Sequence, residues 1–425
     1  MKKTMMTIAM MAITMGLTSC GTSKSSQASQ KEKTDGMVVN KNDQLIDDGY
    51  LILSNAQRDI VNNNNAFALN LFRELNGFDS KVVSPMSVAY LMGMLANGAD
   101  GQTRQEIMTA IGCKDVSLKD LNEFYQMMIT RASHFDPSTT ISIANFIALN
   151  KQYSLKGGFA KTMQEYYKAG IESLDFKSTS SLKRINGWCS DHTDGMIPRI
   201  IDDIDPSAVS YIMNAIYFNG TWEEKFNKSQ TKLENFRGYT RDIKKTQMMH
   251  RNGKYMYTAN DMFAAVDIPY GNGAYQMTVL LPNNGKSIDE MMKALDAKSL
   301  TELRYKMEEY KVDLKLPRFK TELELPLNGI ISKLGAAGMF TGSADFSNFA
   351  NGNLYVSKML QKAKIEVSEE GTKAAAVTMA MVAMTALRPE PMPVDFHADR
   401  PFAYMISERS TGAILFMGQY TGSEL

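Results

Sequence analysis

EEGTKAAAVTMAMVAMT, Glu369 to Thr385, is the stretch on which the reading of this chain turns. The run before it, Lys364-Ile365-Glu366-Val367, is strand-like, so the chain arrives extended, and Gly371 then offers a flexible point. From Thr372 to Thr385 there is no Pro, no Gly and one charge, Lys373. Sorted by the period of two that a strand imposes, one face reads Thr372, Ala374, Ala376, Thr378, Ala380, Val382, Met384 and carries no charge. The other reads Lys373, Ala375, Val377, Met379, Met381, Ala383, Thr385. Both faces suit burial in a central strand. Yet RPEPMP (388–393) follows at once, and such a segment suits an exposed loop. Ala favours helix over strand, so local propensity alone leaves helix and strand open.

Working outward, the N-terminus reads as an address. Lys2 and Lys3 precede an apolar run from Met5 to Leu17, too short for a comfortable membrane span. It ends in Leu17-Thr18-Ser19-Cys20. Residues 1–19 are therefore expected to be a signal peptide. Residues 20–46, rich in Ser, Gln, Lys and Asp, are expected to be a solvated tether. From about residue 47 to 425 no long low-complexity segment interrupts the chain. The net charge of +1 leaves no nucleic-acid footprint. Of three cysteines, Cys113 and Cys189 lie in the body, too few for a disulfide framework and expected as free, buried thiols. The 32 methionines are read mainly as adaptable core filler.

Helical patterns fall at 54–76, where Ile60, Phe67, Leu71 and Leu75 share a face and Gly77 follows as a stop. Ser84-Pro85-Met86-Ser87 reads as a capped helix start. Gly98 to Gly101 break that helix, and further helices are expected at 103–112, 118–132, 159–168, 182–191, 287–308 and 328–335. Strand patterns fall at 139–149, 209–218, 263–268, 275–281, 310–319 and 355–367. The two types mix without strict alternation, which points to an α+β fold.

IEVSEEGTKAAAVT (365–378) resembles the hinge of the serpins, the serine-protease-inhibitor family, and HADRPFAYMISERSTGAILFMGQYTG (397–422) resembles that family's C-terminal end. The likeness continues through NAFALNLFRELN (65–76), SPMSVAYLMGMLANGADGQTRQEI (84–107), INGWCSDHTDGMIPRII (185–201), MNAIYFNGTWEEKF (213–226) and LKLPRFKTELELPLNGIISKLG (314–335), in the family's order. The resemblance implies a large mixed central sheet with surrounding helices, smaller second and third sheets, and an exposed reactive-centre loop at about 371–394. It implies a suicide-substrate inhibitor of serine, and also papain-like cysteine, endopeptidases. The loop is cut and its hinge side, Glu369, Glu370, Gly371, Thr372, Ala374, Ala375 and Ala376, inserts into the main sheet.

Family spacing puts the reactive bond at Thr385–Ala386, with Met384 and Leu387 as neighbours. A small or apolar residue there suits elastase-like or subtilisin-like targets. Arg388 points instead to a trypsin-like one, but Pro389 makes its bond a poor substrate. Met379, Met381, Met384 and Met392 lie in this loop, where oxidation would change recognition. By the same likeness Ser84, Ser87, Asn214 and Gln361 form the shutter, where the sheet parts. Gln361 stands where the family has His, and Gln does not titrate near neutrality. Trp222, Arg318 and Glu369 form the breach, where insertion begins.

LTSC resembles a bacterial lipobox, which implies lipidation at Cys20, a lipid anchor, and an exported protein on the outer membrane or cell surface. A monomer is expected, with neither a cofactor nor a metal. The helix at 118–132 lacks a basic face for glycosaminoglycans. The four histidines, His134, His192, His250 and His397, form no HExxH, and there is no GxSxG, P-loop or CxxC, so no enzyme is expected. The alternative is a non-inhibitory member of the same fold that binds ligands or partners. The small hinge residues argue for inhibition.

Overall fold

The computed structural model describes residues 46–47, 50–75, 77–131, 134–239, 242–372 and 393–422. All belong to one compact unit, Asp43–Leu425. The helices are α1 (Asn55–Arg73), α2 (Pro85–Gly98), α3 (Gly101–Ala110), α4 (Leu118–Arg131), α5 (Gly157–Tyr166), α6 (Thr179–His192), α7 (Ile288–Ala294), α8 (Ala297–Lys306) and α9 (Asn328–Ile331). The strands are β1 (Ile46–Asp47), β2 (Tyr50–Leu51), β3 (Lys81–Val83), β4 (Thr139–Asn150), β5 (Gly170–Leu174), β6 (Ser210–Thr221), β7 (Lys232–Arg237), β8 (Ile243–Ala259) and β9 (Phe263–Tyr270). They continue as β10 (Tyr275–Pro282), β11 (Glu308–Pro317), β12 (Phe319–Pro326), β13 (Leu360–Ser368), β14 (Gly371–Thr372), β15 (Val394–His397), β16 (Phe402–Glu408) and β17 (Ile414–Tyr420).

The central sheet runs β12-β13-β14-β6-β4-β5. It is mixed: β4 and β5 are parallel, and β6 is antiparallel to β4 from Thr139↔Gly220 to Leu149↔Ser210. The second and third sheets run into one another through the 17-residue β8, giving the order β15-β11-β8-β9-β10-β16-β17-β3, with β7 also on β8. Strands β10, β16 and β17 are buried at every position, as continuous apolar runs predict for strands covered on both faces. Helix α2 is buried along almost its whole length. Ser84 caps it by accepting from the Ser87 backbone N–H at 3.2 Å, and Pro85 fills the first turn. Helix α1 opens on a capping box between Ser54 and Gln57.

Several expected boundaries move. The strand expected at 310–319 divides at Arg318, whose backbone N–H donates to Gln247 O at 2.8 Å. There the chain steps from β11 in one sheet to β12 in the other, so Arg318 stands at the crossover. The strand expected at 355–367 begins only at Leu360. Asn328 side-chain bonds to Ser357 O and from Met359 N hold the preceding residues in a loop. The helix expected at 287–308 is two, because Asp296 caps a new one. No strand is expected over 243–259, where β8 runs for 17 residues between β11 on one side and β7 and β9 on the other; most of its exposed positions are polar, which weakens the apolar signal.

Candidate functional site

The hinge is a tight reversal. Strand β13 ends at Ser368, Glu369 and Glu370 turn the chain, and β14 runs back antiparallel to β13 (Ser368↔Gly371, Val367↔Thr372). Its other edge pairs with β6 (Gly371↔Thr221, Thr372↔Gly220). Two residues are thus wedged between β13 and β6. Among the described residues no register pair joins β6 directly to β13. Gly371 is at φ +143°, and a Cβ there would lie 2.7 Å from Thr221 Cα and 2.9 Å from Trp222 N. Only glycine fits this approach.

Glu369 is buried, 1% exposed. Its carboxylate accepts from Arg318 Nη2 at 2.5 Å and from Thr231 Oγ1 at 2.7 Å. Burial pushes the carboxyl up, but the bonds from Arg318 and Thr231 outweigh it and hold the group below the usual carboxylate range. The turn's carbonyls are satisfied as well: Trp222 N donates to Glu370 O and Phe226 N to Glu369 O, both at 3.0 Å. Trp222 Nε1 donates to Ser368 O at 2.8 Å. Its ring stacks on Tyr270 at 4.4 Å, and the Tyr270 hydroxyl meets Thr372 Oγ1 at 2.6 Å. Glu370 takes Lys225 and Lys228 at 2.8 and 3.0 Å. Trp222, Arg318 and Glu369, proposed together from sequence, form one cluster around the top of β13. Thr231, Tyr270, Lys225 and Lys228 belong to it too. Sequence reasoning missed them because only the fold brings them to the turn.

The second cluster joins α2 to β13. Gln361 accepts from Ser84 N at 3.0 Å and donates to Ser84 O at 2.8 Å, while Ser84 Oγ donates to Leu415 O at 2.8 Å. Ser84, Ser87 and Gln361 therefore come together. Asn214 does not join them: its Nδ2 donates to Asn145 Oδ1 at 2.8 Å. The buried Asn214 Oδ1 has no partner among the described residues. Asn214 and Gln361 thus share no hydrogen bond: Asn214 sits on β6, paired with Asn145 of β4, and Gln361 sits on β13, paired with Leu325 of β12. Asn145 in turn donates to Tyr167 O at 2.7 Å, continuing a buried polar chain that sequence reasoning did not find.

Ala374, Ala375 and Ala376, Met384, Thr385, Ala386 and Leu387, and Cys20 lie outside the described residues. Cys113 and Cys189 are free and buried, and burial pushes both thiols up to about 12. The His192 imidazole bonds Trp188 O at 2.8 Å on its own helix, so Cys189 has no activating base there.

The family model described as "Serpin (serine protease inhibitor)" matches residues 62–422. "Serpin B6" from Macaca fascicularis is 31% identical over 84% of this chain and 98% of its own length. "Leukocyte elastase inhibitor" from Sus scrofa is 31% identical over 84% of this chain and 97% of its own. Among solved structures, the thermophilic serpin Tengpin in the native state superimposes with a TM-score of 0.78 at 29% identity, covering 88% of this chain and 96% of that one.

Proposed function

This chain belongs to the serpin family, and we propose that it is an inhibitory member, a suicide substrate for serine and papain-like cysteine endopeptidases. The observation that carries this is the wedge: β14 already occupies the place between β13 and β6 where a longer strand would grow. Continuing both registers pairs Ala374 with Phe218 and Ile365, Ala376 with Ile216 and Ala363, and Thr378 with Asn214 and Gln361. Opposed residues in a sheet share a face. The charge-free face of the loop is thus the one that Thr372 presents to Tyr270, and Lys373 belongs to the other. Thr378 would bring a hydroxyl to the unpartnered Asn214 Oδ1.

In this reading the protease's Ser or Cys attacks the carbonyl of Thr385 and forms an acyl-enzyme, and the amine of Ala386 leaves. The freed strand then inserts before water can release it. Each added ladder bond contributes about 0.5–1.5 kcal/mol net, so roughly ten residues between two partners supply on the order of 10 kcal/mol. The intact form is a kinetic trap. Elastase-like or subtilisin-like proteases are the proposed targets, a reading that the likeness to leukocyte elastase inhibitor supports. We place residues 1–19 as a signal peptide and 20–46 as a tether. Cys20 is the lipidated anchor on the outer membrane or cell surface, which labelled palmitate tests: incorporation vanishes in Cys20→Ala or the anchor is wrong.

The main test is a protease panel read on denaturing gels. A covalent complex that survives boiling in detergent is expected, with a cut between residues 383 and 388. Cleavage without complex, and no gain in melting temperature on cleavage, identifies a non-inhibitory member instead.

A further inference from the structure

We propose that His250, Asp313, Asp395 and His397 form a site for one divalent transition-metal ion, zinc above all, that clasps β15 to β11 and β8. Strand β11 lies in the middle. On one side β8 pairs Lys315 with His250 and Asp313 with Asn252; on the other, β15 pairs Asp313 with Asp395 and Lys315 with His397. Residues 313 and 315 share a face of β11, and opposed residues share a face across the ladder. All four side chains therefore project from one face of three adjacent strands.

The distances agree. Asp313 lies between the two imidazoles, with Oδ1 at 2.5 Å from His250 Nε2 and Oδ2 at 3.4 Å from His397 Nε2. Ligand atoms of Asp313, Asp395 and His397 lie within 4.8 Å of one another. A tetrahedral zinc ion with bonds near 2.0–2.1 Å needs its ligand atoms about 3.4 Å apart; Asp313, Asp395 and His397 form the core of the site, and His250, bonded to Asp313 but outside their 4.8 Å group, joins it when its ring turns toward them. His250, Asp313 and His397 are 30%, 26% and 34% exposed, backed by the sheet yet open to an ion from solution.

Two imidazole nitrogens with two carboxylates suit zinc, copper or nickel; calcium and magnesium prefer oxygen alone. Two lysines share this face of β11, Lys311 and Lys315, one on each side of Asp313. Lys315 stands on the same face between the histidines, but its Nζ is held by both carboxylate oxygens of Glu234 at 2.9 and 3.0 Å. Sequence reading expected no metal because the four residues belong to no short motif. The sheet assembles them.

The consequence is mechanical. Strand β15 is the outermost strand of its sheet, four residues long, and pairs only with β11 among the described strands. An ion held also by His250 ties it to the next strand in. Metal bound to the docked strand and not to a detached one stabilises the docked state.

The test titrates the untagged full-length chain, purified in detergent and stripped with EDTA, with zinc chloride in a calorimeter. His250→Ala and His397→Ala are run beside it. One equivalent of zinc is expected, unaffected by calcium or magnesium, and each variant weakens binding at least about tenfold. Cobalt should give the intense visible absorption of a four-coordinate site. Zinc should slow amide exchange at Val394–His397. Variants that melt like the parent in EDTA are correctly folded; if either does not, Asp395→Asn, at an exposed position, replaces it. The proposal is overturned if the parent takes up no zinc at about 0.1 mM free metal. It is overturned equally if the variants bind zinc as the parent does.

Discussion

Replacing Arg318 by Ala removes the cation that satisfies a carboxylate buried at the hinge. The Glu369 side chain is 2% exposed and that of Arg318 48%, so the substitution leaves a nearly dry charge with one remaining side-chain partner, Thr231. A hydrogen bond to a charged group is worth about 1.5–3 kcal/mol. The Arg318 side chain is about half exposed, which lowers the value, so the expected loss is about 2 kcal/mol. With about 2.1 cal/mol/K of unfolding entropy per residue over Asp43–Leu425, the melting point should fall by about 2–3 °C.

The pH dependence has a definite sign. The folded Glu369 carboxyl is held below its unfolded value, so its contribution is present above the unfolded pKa of about 4.3. That contribution is lost as pH falls through the lower folded value. The cost of Arg318→Ala should accordingly be full at neutral pH and shrink in acid, as Glu369 protonates. Trp222, one of two tryptophans, bonds Ser368 O and so reports the hinge by fluorescence, with circular dichroism as the global probe. Glu369→Gln and the double variant complete a cycle. A loss under about 0.5 kcal/mol at neutral pH, or strict additivity in the double variant, refutes the argument.

Gly371→Ala should push β14 out of the wedge, because its Cβ meets the β6 backbone; amide exchange at Thr372 should rise, and covalent complex should give way to simple cleavage. Gln361→Ala orphans the buried N–H and C=O of Ser84 and should cost about 2–4 kcal/mol in urea unfolding; a cost under half of that means water replaces the amide. Thr378→Arg, at the position that the proposed insertion sets opposite Asn214 and Gln361, should abolish the gain in melting temperature on cleavage while leaving the melting temperature of the uncut protein unchanged. In the native protein Cys113 and Cys189 should resist thiol reagents at neutral pH and react only after unfolding, since burial keeps both protonated.

Local pattern carried a great deal of this structure. Ser84-Pro85 announced a helix start, and α2 begins there. Of the charge-free period-two face from Thr372 onward, Thr372 alone falls among the described residues, and it is buried in the sheet. The family likeness brought Trp222, Arg318 and Glu369 into one cluster, and they meet. Such features are legible because each depends on neighbours in sequence or on a long motif.

What needed the tertiary structure is everything decided by which strands lie side by side. Asn214 and Gln361 looked like one network from their motifs, yet they lie on β6 and β13, which no register pair joins among the described residues, and each has a different partner. Arg318 read as the interior of one strand and proved to be the step between two sheets. His250, Asp313, Asp395 and His397 give no signal in the linear chain, because side chains on three strands converge only when register sets them opposite one another. Sequence period dictates which face a residue takes; pairing across strands, a long-range choice made by burial of the whole sheet, dictates whom it meets.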